Sequence, residues 1–358
     1  MRVLSGLGKF ALALLVLLIA ANLAGYVYEQ MAEARDAKLY PPPGQLVDVG
    51  VRRLHVLCTG PQAGPTVVII PGGGTPAVVD YALQDRIARF ARVCSYDRPG
   101  LGWSPAAGAP VSLDDDVADL HALLNKVAGP GPYVLEPESF GGLIALAYTR
   151  QHPREVGGLV LVDAAEPKLW FERADAAEKA QGATASLVPL LTSVGLVRAI
   201  APSQLRAYGW GYFSLREQGE LVAVFSRQNP GRTEAFDVAR STPSAERGGL
   251  PDGAFGDLPM VVIQHGKPFT GANAVAEPGW VASEGRLARL SSNSRMIVAR
   301  DNGHEIAQQN PDLVAEAARE VVEQVRARNV GKGRNSSLAS RREVAVGRFR
   351  SASAGSQP

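Results

Sequence analysis

A serine, a histidine and a choice of carboxylates are the residues of this chain whose settings point to chemistry. Ser139 stands in Pro137-Glu138-Ser139-Phe140-Gly141-Gly142, after the apolar run Tyr133 to Glu136 and before a helical stretch from Leu143 to Arg150. A serine in a sharp strand-to-helix turn exposes its Oγ and aims the next backbone N–H at a developing oxyanion. The pattern G-x-S-x-G keeps its second glycine in Gly141 but has Pro137 for the first, which fixes φ and removes a backbone donor. Serine is also a common turn residue, so its company must decide.

That company is present. The run Thr66 to Ile70 leads into Pro71-Gly72-Gly73-Gly74-Thr75, where backbone N–H groups can point at an anion. Gly73 N–H with Phe140 N–H would form an oxyanion hole. A phosphate loop is the competing reading, but no Gly-Lys-Ser/Thr follows. Near the other end, Arg295 to Ala299 runs into Arg300-Asp301-Asn302-Gly303-His304-Glu305-Ile306, which makes His304 the candidate general base. His55, His121 and His152 fall within or beside regular elements and read as structural or surface residues.

These groups need a scaffold that brings distant loops together. Short β-branched runs alternate with helical stretches, the pattern of an α/β domain around a largely parallel sheet. The predicted strands are Gln45 to Val49, Arg53 to Cys58, Thr66 to Ile70, Val93 to Tyr96, Tyr133 to Glu136, Gly158 to Val162, Met260 to Gln264 and Arg295 to Ala299. Ligand sites in such sheets gather at the carboxyl ends of strands. Strand signals lapse over 166–257, which reads as a helical cap insertion. Its Trp170, Phe171, Leu187, Leu191, Tyr208, Trp210, Tyr212 and Phe213 could line an apolar pocket or simply form the cap's core.

Composition narrows the function classes. The 358 residues are 46% hydrophobic, with Lys+Arg 37 against Asp+Glu 35, so a large core is affordable and no basic field exists for a nucleic acid. Cys58 and Cys94 are too few for a disulfide scaffold and too far apart for a C-x-x-C motif. Neither a metal nor another cofactor is expected.

The ends carry their own signals. Phe10 to Tyr28 contains no charge, and about 19 helical residues reach roughly 28 Å, close to bilayer hydrocarbon thickness. The region 1–38 therefore reads as a transmembrane anchor with its flank, rather than a cleaved signal peptide or a buried globular helix. Flanking Lys/Arg are nearly balanced, and the orientation adopted puts the N-terminus inside and the main domain outside the cytoplasm. Pro41-Pro42-Pro43 within 39–44 reads as a spacer holding the domain off the membrane. The Ser-, Gly- and Arg-rich 329–358 reads as a disordered basic tail.

Taken together, the chain resembles the α/β-hydrolase superfamily over 45–328. It is similar to bacterial membrane-anchored serine hydrolases with an apolar N-terminal segment, a Pro-rich spacer and a stretch such as Tyr96-Asp97-Arg98-Pro99-Gly100-Leu101-Gly102-Trp103-Ser104. The resemblance implies an eight-stranded, mostly parallel α/β-hydrolase fold with a cap, and by motif position Ser139 and His304. Asp97 and Arg98 are expected to hold their turn together. Many relatives place the triad acid after the strand matching Met260 to Gln264, but here His265-Gly266-Lys267-Pro268-Phe269 follows, with no acid before Glu277. The acid is assigned to Asp163, at the end of Gly158 to Val162, with Glu277 as the alternative; the order serine, acid, histidine admits both. The implied topology sets the second strand antiparallel to the strand carrying Tyr96, so Cys58 and Cys94 could form a disulfide or remain two packed thiols.

The implied activity is hydrolysis of a carboxylic ester, or a related apolar acyl compound, through an acyl-enzyme. A haloperoxidase-like reaction would use the same triad. A non-catalytic binding protein on this fold is the other class, favoured by Pro137 and Glu138 at the elbow. Epoxide hydrolases and dehalogenases would prefer an aspartate where Ser139 stands.

Overall fold

The computed structural model describes residues 2–173, 188–207, 212–227, 238, 242 and 247–329. The basic tail after residue 329, and Leu187, Tyr208 and Trp210 of the cap, lie outside the described residues.

Eight strands form one sheet: β1 (Gln45–Asp48), β2 (Arg53–Thr59), β3 (Val67–Ile70), β4 (Val93–Tyr96), β5 (Tyr133–Pro137), β6 (Val156–Val162), β7 (Met260–His265) and β8 (Ser294–Ala299). Their spatial order is β1-β2-β4-β3-β5-β6-β7-β8. The β1–β2 and β2–β4 pairs are antiparallel and the rest parallel. Every predicted strand is present, with ends shifted by a residue or two.

The central strands read as continuous apolar runs because both faces are covered. Val68, Ile70, Leu135, Leu159 and Leu161 pack on the face that carries α3 (Leu113–Val127) and α4 (Gly141–Gln151). Their neighbours Val67, Ile69, Val134, Val160 and Val162 face α2 (Tyr81–Ile87) and the helix over 311–329. Each such buried side chain contributes about 1.5–3 kcal/mol of transfer free energy. The register pairs Cys58 with Cys94 across β2 and β4, and the two are joined as a disulfide with Cα atoms 4.1 Å apart.

Between β6 and β7 the described cap contains helices Val188–Ser193, Leu196–Ala207 and Leu215–Arg227. Phe213, Leu221, Val224 and Phe225 pack on Val78, Val79 and Trp103, which follow β3 and β4. The cap thus rests over the carboxyl end of the sheet, where the candidate site lies.

The N-terminal helix α1 (Arg2–Leu39) has one stretch long and apolar enough to cross a membrane. Its last turns depart from the sequence reading. Glu29 and Asp36 lie seven residues apart, two turns along one helix face, and both grip Arg198 of the cap. Arg198 Nε and Nη2 donate to Glu29 at 2.9 and 2.7 Å, and Nη1 donates to Asp36 at 2.6 Å. All three side chains are buried. The segment 39–44 touches the domain at two carbonyls, Tyr40 O accepting from Trp103 Nε1 at 3.2 Å and Pro43 O from His55 Nε2, while Pro41 and Pro42 are exposed.

Candidate active site

The elbow forms because β5 ends against two neighbours at once. Glu138 N–H donates to Ile70 O on β3 and Ser139 N–H to Val162 O on β6, both at 3.1 Å. The chain must then turn within one residue, and Ser139 takes φ 47°, a left-handed conformation costly for a side-chain-bearing residue. Gly141 follows from sterics, since a Cβ there would stand 2.2 Å from Ile70 O. Pro137 is tolerated because amides alternate sides along a strand. Its missing N–H falls on the β6 side, where pairing stops at Leu135↔Leu159 and resumes at the Glu138↔Val162 bridge.

The glycine loop after β3 lies beside this turn. A Cβ on Gly73 would come 3.2 Å from Phe140 Cβ, so the two backbones run side by side. Among the described residues, neither the Gly73 nor the Phe140 amide donates to another backbone group. Arg98 holds this loop from behind: fully buried, it donates to Pro71 O at 2.7 Å and Gly72 O at 2.6 Å. Asp97 fixes the adjoining segments, accepting from Ala77 N at 2.7 Å, Trp103 N at 3.0 Å and His55 Nδ1 at 2.8 Å. Gly102, at φ 50°, is required because a Cβ would meet the Asp97 carboxylate at 2.1 Å. Both residues therefore act as scaffolding for the loop.

His304 arrives from the loop after β8. Its Nε2 lies 2.9 Å from Ser139 Oγ, and its Nδ1 lies 2.5 Å from Asp163 Oδ2. Asp163, at the end of β6, shares the left-handed backbone, φ 43°. Glu277 does not reach His304. Its carboxylate accepts from His265 Nε2, at 3.1 Å to each oxygen, and from Phe269 N at 2.8 Å. A hydroxyl facing an imidazole that faces a carboxylate can lose its proton as it attacks an electrophile.

The electrostatics favour that order of charges. Burial pulls the Asp163 carboxyl up, but hydrogen bonds from His265 and His304 hold it below the ordinary range. Burial pulls the His304 imidazole down, and its bond to the Asp163 carboxylate more than offsets this, leaving it raised.

Several site residues carry no sequence signal of their own. Trp280 and Phe269 flank the His304 ring, each with centroids 5.4 Å away. Trp170, one of the candidate lining residues, meets Phe140 edge-on at 5.4 Å, whereas Phe171 and Phe213 are buried in core clusters. His265 ends β7 and binds Asp163; a histidine closing the strand beside the acid's strand was the available clue. Beneath the elbow lie Asp80, Glu136 and Glu138, all buried, with Gln308 Nε2 donating to Asp80 at 2.5 Å and to Glu138 at 3.0 Å. Burial and the mutual repulsion of these acids push Asp80 up to about 8 and raise both glutamates well above the carboxylate range.

Donor spacing that would suit a cation occurs in two described groups. His121, His152 and Glu155 lie at the opposite end of α4, and Asp163, His265 and His304 lie in the site, where every donor is already hydrogen-bonded.

Comparison with known proteins agrees with this architecture. The family described as alpha/beta hydrolase fold matches residues 65–190. Lipase LipV of Mycobacterium tuberculosis is 31% identical over 175 residues, covering 44% of this chain and 66% of LipV. The chain spans no more than 66% of the length of the curated relatives it matches. Among solved structures, a thermophilic esterase from Thermogutta terrifontis aligns with TM-score 0.55 at 21% identity, covering 76% of this chain and 94% of the esterase. The Cif epoxide hydrolase from Acinetobacter nosocomialis aligns with TM-score 0.62 at 14% identity, over 83% and 96% of the two chains. Esterase and epoxide hydrolase share the fold, so the fold by itself does not choose the reaction. With its strand order, its elbow and these similarities, the chain has the α/β-hydrolase fold.

Proposed function

We propose that the protein is a serine hydrolase that cleaves a carboxylic ester or a related acyl substrate through an acyl-enzyme. The observation that carries this reading is the line Ser139 Oγ, His304, Asp163, at 2.9 and 2.5 Å, on a left-handed elbow. Ser139 Oγ attacks the acyl carbon while His304 Nε2 takes its proton. The oxyanion sits between Gly73 N–H and Phe140 N–H, neighbouring amides that donate to no other backbone group among the described residues; donors held by the fold need no reorganisation as charge develops. Collapse expels the alcohol, which takes the proton back from His304. Water then attacks the acyl-serine with His304 as base, releasing the acid and restoring Ser139. Asp163 holds the His304 tautomer and the imidazolium. Trp170, Trp280 and Phe269 supply the apolar surface for the acyl group.

In the same proposal α1 anchors the chain in a membrane, with the hydrolase domain outside the cytoplasm. Its uncharged stretch supports the first part, and the Cys58–Cys94 disulfide supports an oxidising compartment. The test is reaction with a fluorophosphonate probe. The parent chain is expected to label and Ser139→Ala to remain unlabelled; equal labelling would refute the assignment.

A further inference from the structure

We infer that His265 and Glu277 are positioning residues for the proposed reaction, His265 standing as an imidazolium between two carboxylates and clamping the Asp163 carboxylate for His304. The inference rests on the serine hydrolase reading and adds two residues to it.

The argument begins with counting donors. His265 Nδ1 lies 2.8 and 2.7 Å from Asp163 Oδ1 and Oδ2, and Nε2 lies 3.1 Å from both oxygens of Glu277. An ionised carboxylate only accepts, and a neutral imidazole has one N–H. Both nitrogens of His265 must donate, so the ring is protonated. Burial alone would lower its pKa, but the Asp163 and Glu277 carboxylates more than offset that and leave it raised. The ring itself is almost wholly buried, so its positive charge is poorly screened.

Two consequences follow for His304. The first is geometric. His265 holds Asp163 through its ring and through its backbone N–H, which donates to Oδ1 at 3.1 Å. This fork fixes the carboxylate plane and leaves Oδ2 aimed at His304 Nδ1, at 2.5 Å. The second is electrostatic. The charged groups facing His304 are Asp163 and Glu305, which favour its protonated form, and His265, which opposes it. A permanent charge on His265 therefore keeps His304 neutral, and able to act as a base, to lower pH than Asp163 alone would allow. Glu284, buried against Asp163, is raised well above the carboxylate range by burial and by the Asp163 charge, so its neutral form is favoured and does not cancel this effect.

The experiment uses the full chain in detergent and two readouts. Nitrogen NMR of 15N-histidine-labelled protein is expected to show both His265 nitrogens protonated at pH 7; one bare nitrogen would overturn the inference. The second readout is the pH profile of kcat/KM on a short p-nitrophenyl ester. Glu277→Gln removes the charge that keeps His265 protonated, and the acid limb is expected to move up by about one pH unit. Glu277→Asp should return most of that shift. His265→Gln should give the same upward shift with a larger fall in kcat. A merely structural pair would lower Tm and leave the limb in place, and superimposable profiles would overturn the inference. If the parent neither hydrolyses esters nor takes the probe, the hydrolase reading fails, while NMR still decides the charge on His265.

Discussion

Ser139 and Asp163 are the two non-glycine residues with positive φ among the described residues, 47° and 43°, and their turns are bonded to each other. Ala165 N–H, two residues past Asp163, donates to Ser139 O at 2.7 Å, and Ser139 N–H donates to Val162 O at 3.1 Å. Left-handed backbone costs of order 1–3 kcal/mol per residue, and these shared bonds offset it. The nucleophile candidate and the acid candidate are thereby held by one backbone unit, so a disturbance of either turn reaches both.

Ser139→Ala and His304→Ala are each expected to lower kcat on a short p-nitrophenyl ester by roughly 10⁴-fold or more, with Tm close to the parent. Because the two act as one unit, the double variant should be little worse than either single. Near-parental turnover in a folded single variant would remove that residue from the mechanism.

Asp163→Asn should cost about 10³- to 10⁴-fold in kcat, because an amide no longer selects the His304 tautomer. Glu277→Gln should cost far less at the pH plateau, since Glu277 contacts His265 and Phe269 rather than His304. The reverse ranking would transfer the acid's role to Glu277.

Much of this was legible in the sequence because strands, turns and the candidate elbow depend on local pattern. The eight apolar runs, Gly141 and the Gly72 to Gly74 loop each state their own requirement. What was not legible depends on meetings between distant segments. His265 and Asp163 are 102 residues apart, and the place of His265 at the end of a strand becomes a clue only once that strand is set beside the one ending in Asp163. Arg198 likewise reads as an ordinary cap residue until Glu29 and Asp36 surround it. Pro41 to Pro43 suggested a spacer, and composition could not tell that the carbonyls of Tyr40 and Pro43 would meet Trp103 and His55.

The three buried acids at the elbow make a stability prediction. Asp80 is raised to about 8 by burial and neighbouring acids, so the folded state holds a proton that the unfolded chain releases near pH 4. Its stabilising contribution is complete below about pH 4 and is lost as pH rises toward 8. Asp80→Asn keeps an oxygen for Gln308 and adds donors toward Glu138. The fall in Tm from pH 5 to pH 8 should therefore be smaller in Asp80→Asn than in the parent, by roughly 2–4 °C for each kcal/mol involved. Parallel curves for the two proteins would show that Asp80 is not protonated in the fold.

The Cys58–Cys94 bond closes a loop between β2 and β4. Unreduced peptide maps should contain the linked pair, and Cys58→Ser with Cys94→Ser should cost about 2–4 kcal/mol. Two free thiols in protein from its native compartment would argue against an oxidising location.

The last prediction concerns the junction between α1 and the cap. The full chain should pellet with membranes and resist carbonate extraction, because the uncharged stretch from Phe10 to Tyr28 suits the bilayer interior. Arg198 pairs with both Glu29 and Asp36 in a site where all three are buried, and Arg35 adds a second pairing to Asp36 at 3.2 Å. Removing one partner of such a group leaves uncompensated buried charge, at a cost of about 3–5 kcal/mol. Arg198→Ala should leave membrane attachment intact but free the cap from α1, seen as faster proteolysis within 188–227 in detergent. Glu29→Gln with Asp36→Asn in the Arg198→Ala background removes the stranded charges and should recover part of the protection. If Arg198→Ala is as protease-resistant as the parent, the cap is held by its contacts with Val78, Val79 and Trp103 and the ion cluster contributes little.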